Sequence, residues 1–459
     1  MHRWLAWNVF FPLQEWLKGH PTLRILKEME AADLLTADQL ERLRERKVRD
    51  FLQYGYAHVP YVRNIMRDGG LNPSDIRGPA DLAHFPLMRK ADVRQHRDQL
   101  RSDIAGKIST YSTGGSTGEP LIYDLPMERL ASWLACRQRV MRWWGLSVGD
   151  KEIALWGSPV ELTKQDRVRT VRDWLLATRL LSAFETNDEL MAEYLDILTN
   201  YRCRTMYAYP SSIYRLCLYA RKQGRNLRKL GIKTVFVTSE VLFPYQREVI
   251  TETLNCPVAN GYGGRDSGFI SHECPQGGMH LMADATIVEI VDSAGRPAPF
   301  GESGEIVVTD LYSREVPFIR YATGDMGALS SRRCSCGLPL PLLESLDGRA
   351  NDCIVAPDGR VMHAQGLIGI LEKISGVEQF RIHQKQTDEF HVQIVRNENY
   401  AADSEDRIRE GWTKRLRVPL QLKFEYVASL PVERSGKFRH VISDVATGQI
   451  SPEGGGPRR

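Results

Sequence analysis

Three stretches of the chain hold residue types that could do chemistry. The first is Thr113-Gly114-Gly115-Ser116-Thr117-Gly118-Glu119-Pro120. Glycines let a backbone turn tightly and approach a ligand, and Ser/Thr hydroxyls with freed N–H groups can wrap phosphate oxygens. No Gly-Lys-Ser/Thr ends the run, so it is not a Walker A loop. By itself it fits a phosphate cradle and a bare surface hairpin equally well.

The second stretch is a set of soft metal donors. Cys274 and His280 are separated by five residues, and Cys334 and Cys336 by one. Together they supply four ligands, the number a tetrahedral structural zinc takes. Gly337 permits the tight knuckle of a Cys-x-Cys pair, and His272 is a competing histidine. The third is Arg434-Ser435-Gly436-Lys437, in isolation only a basic turn.

The elements that must position these residues follow from pattern. The Gly/Ser/Thr run lies between Ile108 and Leu121-Ile122-Tyr123, so it should join two strands. Helices are expected over 22–70 and 127–144. Strands over 152–156, 205–209, 234–238 and 258–264 then alternate with helices, one of them capped by Ser211 or Ser212. Such alternation predicts an α/β fold with a largely parallel sheet, in which ligands sit beyond the C-terminal strand ends. Trp156, Gly157, Ser158, Tyr209, Ser239, Glu240, Gly261, Tyr262 and Gly263 fall at those ends. Trp156 and Tyr209 offer flat apolar walls with polar tips, and Trp156, Gly157, Ser158, Tyr209 and Gly261 are the expected pocket.

Further on, strands are expected over 286–291, 304–309 and 317–321, then a hairpin about Asp358-Gly359 and a small α+β unit. The expected organisation is a large domain over 1–348, helical to 100, α/β over 101–275 and β-rich over 276–348. A hinge at 349–352, a small domain over 353–450 and a disordered tail over 451–459 complete it.

The chain has 459 residues, 42% hydrophobic and 26% charged, with a net charge of +4. That length calls for two or three domains, and the weak, dispersed charge gives no nucleic-acid surface. Eight cysteines in so long a chain make no disulfide scaffold. No run of about 18 apolar residues predicts a membrane span. The aromatic segment from Trp4 to Lys18 lacks a signal-peptide cleavage site; it is expected to be a helix packed on the body, with a membrane surface as the alternative. The protein is expected in the cytoplasm, and a homodimer is compatible with the sequence.

Five motifs in one order carry a resemblance: the 113–120 loop, Gly261–Asp266, Tyr321-Ala322-Thr323-Gly324-Asp325, Gly348–Asp352 and Arg434–Lys437. The chain resembles the adenylate-forming superfamily. More narrowly, through Glu273-Cys274, Gly278-Met279-His280 and Pro317–Tyr321, it resembles the phenylacetate–CoA ligase branch and its capsular-polysaccharide relatives. The resemblance implies that a carboxylic acid, here read as aromatic, attacks the α-phosphate of Mg²⁺-bound ATP, and that coenzyme A then displaces AMP. It assigns the phosphates to Thr113, Gly114, Gly115, Ser116, Thr117 and Gly118, with Thr117 catalytic. Asp266 takes the Mg²⁺-holding place where the family mostly has glutamate, and Tyr262 lies at the adenine with Ser239 and Glu240 near. Asp325 takes the ribose, Arg349 the same ribose or the α-phosphate, Lys437 the reacting centre, and Asn351 the hinge. Leu121 stands where the family commonly has lysine. Related members are similar in carrying a zinc site. An amine, a carrier-protein thiol, a hydroxylated cofactor or other acceptor in place of CoA, or a non-catalytic nucleotide-binding protein, are the alternatives.

Overall fold

The computed structural model describes residues 3–112, 121–156, 167–183, 188–349, 353–358, 361–430, 438 and 440–445. Five short strands, Thr178–Leu181, Glu152–Leu155, Thr205–Ala208, Thr234–Val237 and Val258–Gly264, pair in parallel in that order. Thr234–Val237 is buried at every position, as a strand covered on both faces must be. Helices Arg167–Leu175, Asp188–Tyr201, Pro210–Lys222 and Pro244–Leu254 lie in the four crossovers. Ile153, Met206, Val235, Ile213, Leu216 and Ile250 fill the layer between.

Val258–Gly264 also pairs, antiparallel, with Gly268–Glu273. From there the sheet runs on through Met279–Leu281, Leu342–Arg349, Tyr321–Ser330, Gly304–Asp310 and Thr286–Val291, eleven strands in one order. The β-rich part is thus an extension of the parallel sheet across one shared strand. Ile108–Ser112 and Ile122–Pro126 form a separate antiparallel pair, with Ser112 opposite Ile122, at the base of the Gly/Ser/Thr loop.

Two local expectations are corrected. The strand expected over 317–321 begins only at Tyr321, because Arg320 adopts a left-handed φ of 50° that breaks the extended run. Phe318 and Ile319 are buried core residues before it. Neither Ser211 nor Ser212 caps its helix: Tyr209 is the N-cap residue, with no side-chain cap, and Pro210 opens the helix.

The C-terminal sheet orders Gln421–Tyr426, Glu389–Arg396, Val377–Gln384 and Val441–Ser443. Helices Gln365–Leu371 and Ser404–Leu416 cover it around Trp412, Phe380 and Phe390. Phe243 of the larger part joins that core, and the Tyr214 hydroxyl donates to the Glu378 carbonyl at 3.1 Å.

Candidate active site

The site grows from the turn between Val258–Gly264 and Gly268–Glu273. Close approach there demands glycine. A Cβ on Gly263 would lie 2.4 Å from the Gly268 carbonyl oxygen, and Gly268, at φ +89°, backs onto the Asp310 carboxylate. Asp266 projects from this turn. The Tyr321 hydroxyl donates to its Oδ2 at 2.7 Å, and Lys90 Nζ stands 3.8 Å from the same oxygen. Arg129 fixes the turn from beneath: fully buried, it lies 3.0 Å from Asp310 Oδ2 and donates to the Asp266 carbonyl. Burial pushes the Asp310 carboxyl up, and the Arg129 guanidinium opposes that.

The charges of Asp325 and, less strongly, Asp266 both act on one buried tyrosine, Tyr262. The Tyr262 hydroxyl donates to Asp325 Oδ2 at 2.9 Å and reaches Thr323 Oγ1 at 3.3 Å. Burial, then the Asp325 charge, pushes the Tyr262 phenol well above its usual range, so it stays a donor. Arg349 pairs with Asp325 across neighbouring strands.

Ser239, at φ +73°, turns the chain sharply out of Thr234–Val237. Glu240 follows, and its carboxylate accepts from Ser211 N at 3.0 Å, Ser211 Oγ at 3.1 Å and Phe438 N at 2.9 Å. Burial raises its pKa against those hydrogen bonds. Phe438 directly follows Lys437 in sequence, so this bond ties the predicted lysine's neighbour to the large sheet. Trp156 and Tyr209 stack on each other, ring centroids 4.1 Å apart. Behind Gly261, where a Cβ would meet the ring at 2.7 Å, lies His272. Burial depresses it to about 4, among Phe236 and Phe269. Thr113, Gly114, Gly115, Ser116, Thr117, Gly118, Gly157, Ser158, Asn351 and Lys437 lie outside the described residues, as does the Arg349 side chain.

At the opposite end of the same strands, Cys274, His280, Cys334 and Cys336 bring their ligand atoms within 4.8 Å of one another. Cys274 and Cys334 sulfurs are 3.6 Å apart, and His280 Nε2 is 3.1 Å from Cys336 Sγ. A tetrahedral zinc with bonds of about 2.3 Å to sulfur and about 2.0 Å to nitrogen spaces its ligand atoms roughly 3.5–3.8 Å apart. His280 Nδ1 lies 3.1 Å from the Leu340 carbonyl, which favours the tautomer whose Nε2 faces the thiols. A Cβ on Gly278 would fall 2.7 Å from Cys334 Sγ. His272, the competing histidine, is not in the cluster.

Sequence reasoning passed over Arg129, Lys90 and the Tyr321 hydroxyl. Arg129 alone left a signal, a charge inside the otherwise buried face of the helix Met127–Trp143.

The fold has known counterparts. Over 90% of this chain and 91% of the other, it superposes on 2-hydroxyisobutyryl-CoA ligase, crystallised in the postadenylation state with an acyl-AMP, at a TM-score of 0.75 and 20% identity. The fold is that of the adenylate-forming CoA ligases. The same ligase in its thioesterification state gives a TM-score of 0.59. Residues 354–444 match the CapK C-terminal domain. In sequence the chain is 24% identical to phenylacetate-coenzyme A ligase of Thermus thermophilus over 70% of its length and 73% of the relative's. It is 22% identical to protein CapK of Staphylococcus aureus, over 91% of this chain and 92% of that one.

Proposed function

We propose that the chain is an ATP-dependent, AMP-forming carboxylate–CoA ligase. One observation carries this: the motif acids Asp266 and Asp325, 59 residues apart in sequence, are each held by a tyrosine hydroxyl from the other acid's segment, Tyr321 on Asp266 and Tyr262 on Asp325. In this reading a carboxylate oxygen of the acid attacks the α-phosphorus, the bond to the β-phosphate oxygen breaks, and pyrophosphate leaves. The thiolate of CoA then attacks the acyl carbon and AMP departs. Asp325, oriented by Tyr262, accepts from the ribose hydroxyls. Asp266 suits Mg²⁺, which when bound neutralises phosphate charge. Lys90 beside it adds a cation at Asp266, and Leu121 stands where the family commonly has lysine. Lys437 balances charge at the reacting centre, and the tie between Glu240 and Phe438 N holds its neighbour in place. The acid is read as aromatic or planar, on the stacked Trp156–Tyr209 pair. Rotation of the last domain then exchanges adenylation for thiolation.

The Cys274–His280–Cys334–Cys336 cluster is read as a closed structural zinc site, because donor set and spacing both suit that ion. The test of the activity is pyrophosphate release over a panel of carboxylic acids, with and without CoA. Release that depends on the acid, with thioester formed only when CoA is present, is expected. Product formed without CoA would redirect the reading to another acceptor, and ATP binding without pyrophosphate release for every acid would sink it.

A further inference from the structure

The turn that carries Asp266 is a thin one. Gly264 and Gly268 pair across its foot, and only Arg265, Asp266 and Ser267 lie between them. The Asp266 carboxylate folds back over that foot: a Cβ on Gly264 would come 3.0 Å from Oδ1. The other oxygen accepts from the Tyr321 hydroxyl. So short a tip, with glycine on either side, has little packing of its own to hold a carboxylate in one place. Support comes from a different element. Arg129 stands in the first turn of the helix Met127–Trp143 and is fully buried. It reaches the tip by two routes. Directly, its guanidinium donates to the Asp266 carbonyl oxygen. Indirectly, it lies over the Phe318 ring at 5.0 Å, and Phe318 packs on the Tyr321 ring with centroids 5.1 Å apart. Tyr321 is the residue whose hydroxyl holds the Asp266 carboxylate.

Asp310 in turn fixes the guanidinium. Its Oδ2 lies 3.0 Å from Arg129 Nε, and its Oδ1 accepts from Tyr312 N at 3.0 Å. A buried ion pair is a poor source of stability, because desolvating both charges offsets most of their attraction. Apolar side chains of like volume serve the core as well or better. What this pair supplies, and an apolar pair cannot, is a charged donor aimed at one chosen carbonyl. That carbonyl belongs to the residue which the ligase reading needs in a fixed position. An ionised carboxylate offers about four lone-pair sites, and Tyr321 takes one, so Asp266 can also serve a hard cation.

We propose that Arg129, fixed by Asp310, is a positioning residue that sets the Asp266 carboxylate for a divalent cation. The cation itself rests on the ligase reading, and the test separates the two. Mn²⁺ is the probe: its binding to the full chain with adenosine 5′-(β,γ-imido)triphosphate is followed by electron paramagnetic resonance, which needs no turnover. Asp266→Asn should weaken that binding by about tenfold or more. Arg129→Met/Asp310→Asn removes both charges and keeps the acceptor for Tyr312 N. It should melt within a few degrees of the parent yet bind Mn²⁺ about tenfold more weakly. Arg129→Lys keeps the charge against Asp310 but loses the planar fork, and an intermediate loss is expected. In turnover the Mg²⁺ activation constant should rise in the same order, with the KM for the acid unchanged. A purely structural pair would give the opposite pattern, a lower midpoint with Mn²⁺ affinity like the parent's. Parent-like affinity in Arg129→Lys and in the double variant overturns the proposal, as does parent-like affinity in Asp266→Asn. Failure of the ligase reading looks different: Mn²⁺ binding that depends on Asp266 and Arg129, without pyrophosphate release from any acid, would remove that reading and leave this inference standing.

Discussion

The strands Gly268–Glu273, Tyr321–Ser330 and Leu342–Arg349 carry two unlike sites at their two ends. At one end stand hard oxygen ligands, Asp266 and Asp325, each held by a tyrosine and open enough for Lys90 to approach. At the other stand soft donors, three thiols and an imidazole, whose ligand atoms lie within 4.8 Å of one another. In the proposed reading the first end orients groups that a ligand completes, and the second end is closed by its own four donors. The difference teaches where substitutions should be felt: in rate at the first end, in stability at the second.

The largest effect expected is on rate. Lys437→Ala should slow acyl-adenylate formation on the order of 10²–10³-fold, the size of losing one positioned charge. It should spare thioester formation from a supplied acyl-adenylate, as stopped-flow measurement of the two halves would show. Equal loss in both halves would make the residue structural. Asp325→Asn should raise the KM for ATP and lower the adenylation rate by about tenfold to a hundredfold, hydrogen bonds to a charged group contributing about 1.5–3 kcal/mol. Its zinc content and melting midpoint should match the parent's. A large drop in the midpoint would break the contrast between the two ends.

Cys336→Ser should do the reverse. Elemental analysis is expected to fall from about one zinc per chain to a small fraction, with a lower midpoint, while kcat/KM measured well below that midpoint stays within a few-fold. Full metal retention would remove Cys336 from the site. Glu240→Gln replaces an acceptor of three bonds and should slow adenylation by about tenfold, one or two hydrogen bonds' worth. Transfer from supplied acyl-adenylate should be unaffected. The smallest effect sharpens the comparison: Tyr262→Phe leaves Asp325 in place but unoriented by its hydroxyl. A three- to tenfold loss in kcat/KM for ATP is expected, the worth of about 1 kcal/mol, with zinc unchanged.

Much of the fold was legible because its strands and helices keep clean periods. Thr205–Ala208 and Thr234–Val237 emerge from pattern alone. Thr178–Leu181 did not, since four residues containing Arg179 make no apolar run. The strand expected over 317–321 shows the opposite error: Phe318 and Ile319 are apolar because they are core, not because they are extended. At the site, Asp266 and Asp325 were readable through motif order, and the four metal donors through spacing. Arg129 under the Asp266 turn, and the Tyr321 hydroxyl above it, depend on contacts across 137 and 55 residues. No local pattern encodes these. Glu240 was placed near the nucleotide, yet its carboxylate serves Ser211 and the C-terminal segment, a role visible only once both parts are folded together.

The strand Val258–Gly264 has a parallel partner on one side and an antiparallel partner on the other. Splitting the sheet there would open two edges of unpaired backbone at once. The parallel and antiparallel halves should therefore behave as a single cooperative unit. In native-state hydrogen exchange, amides of Thr234–Val237 and of Gly268–Glu273 should share one opening free energy and lose protection together as denaturant rises. Whatever loosens the metal-donor end would then also be felt, through that strand, in the protection of the parallel strands.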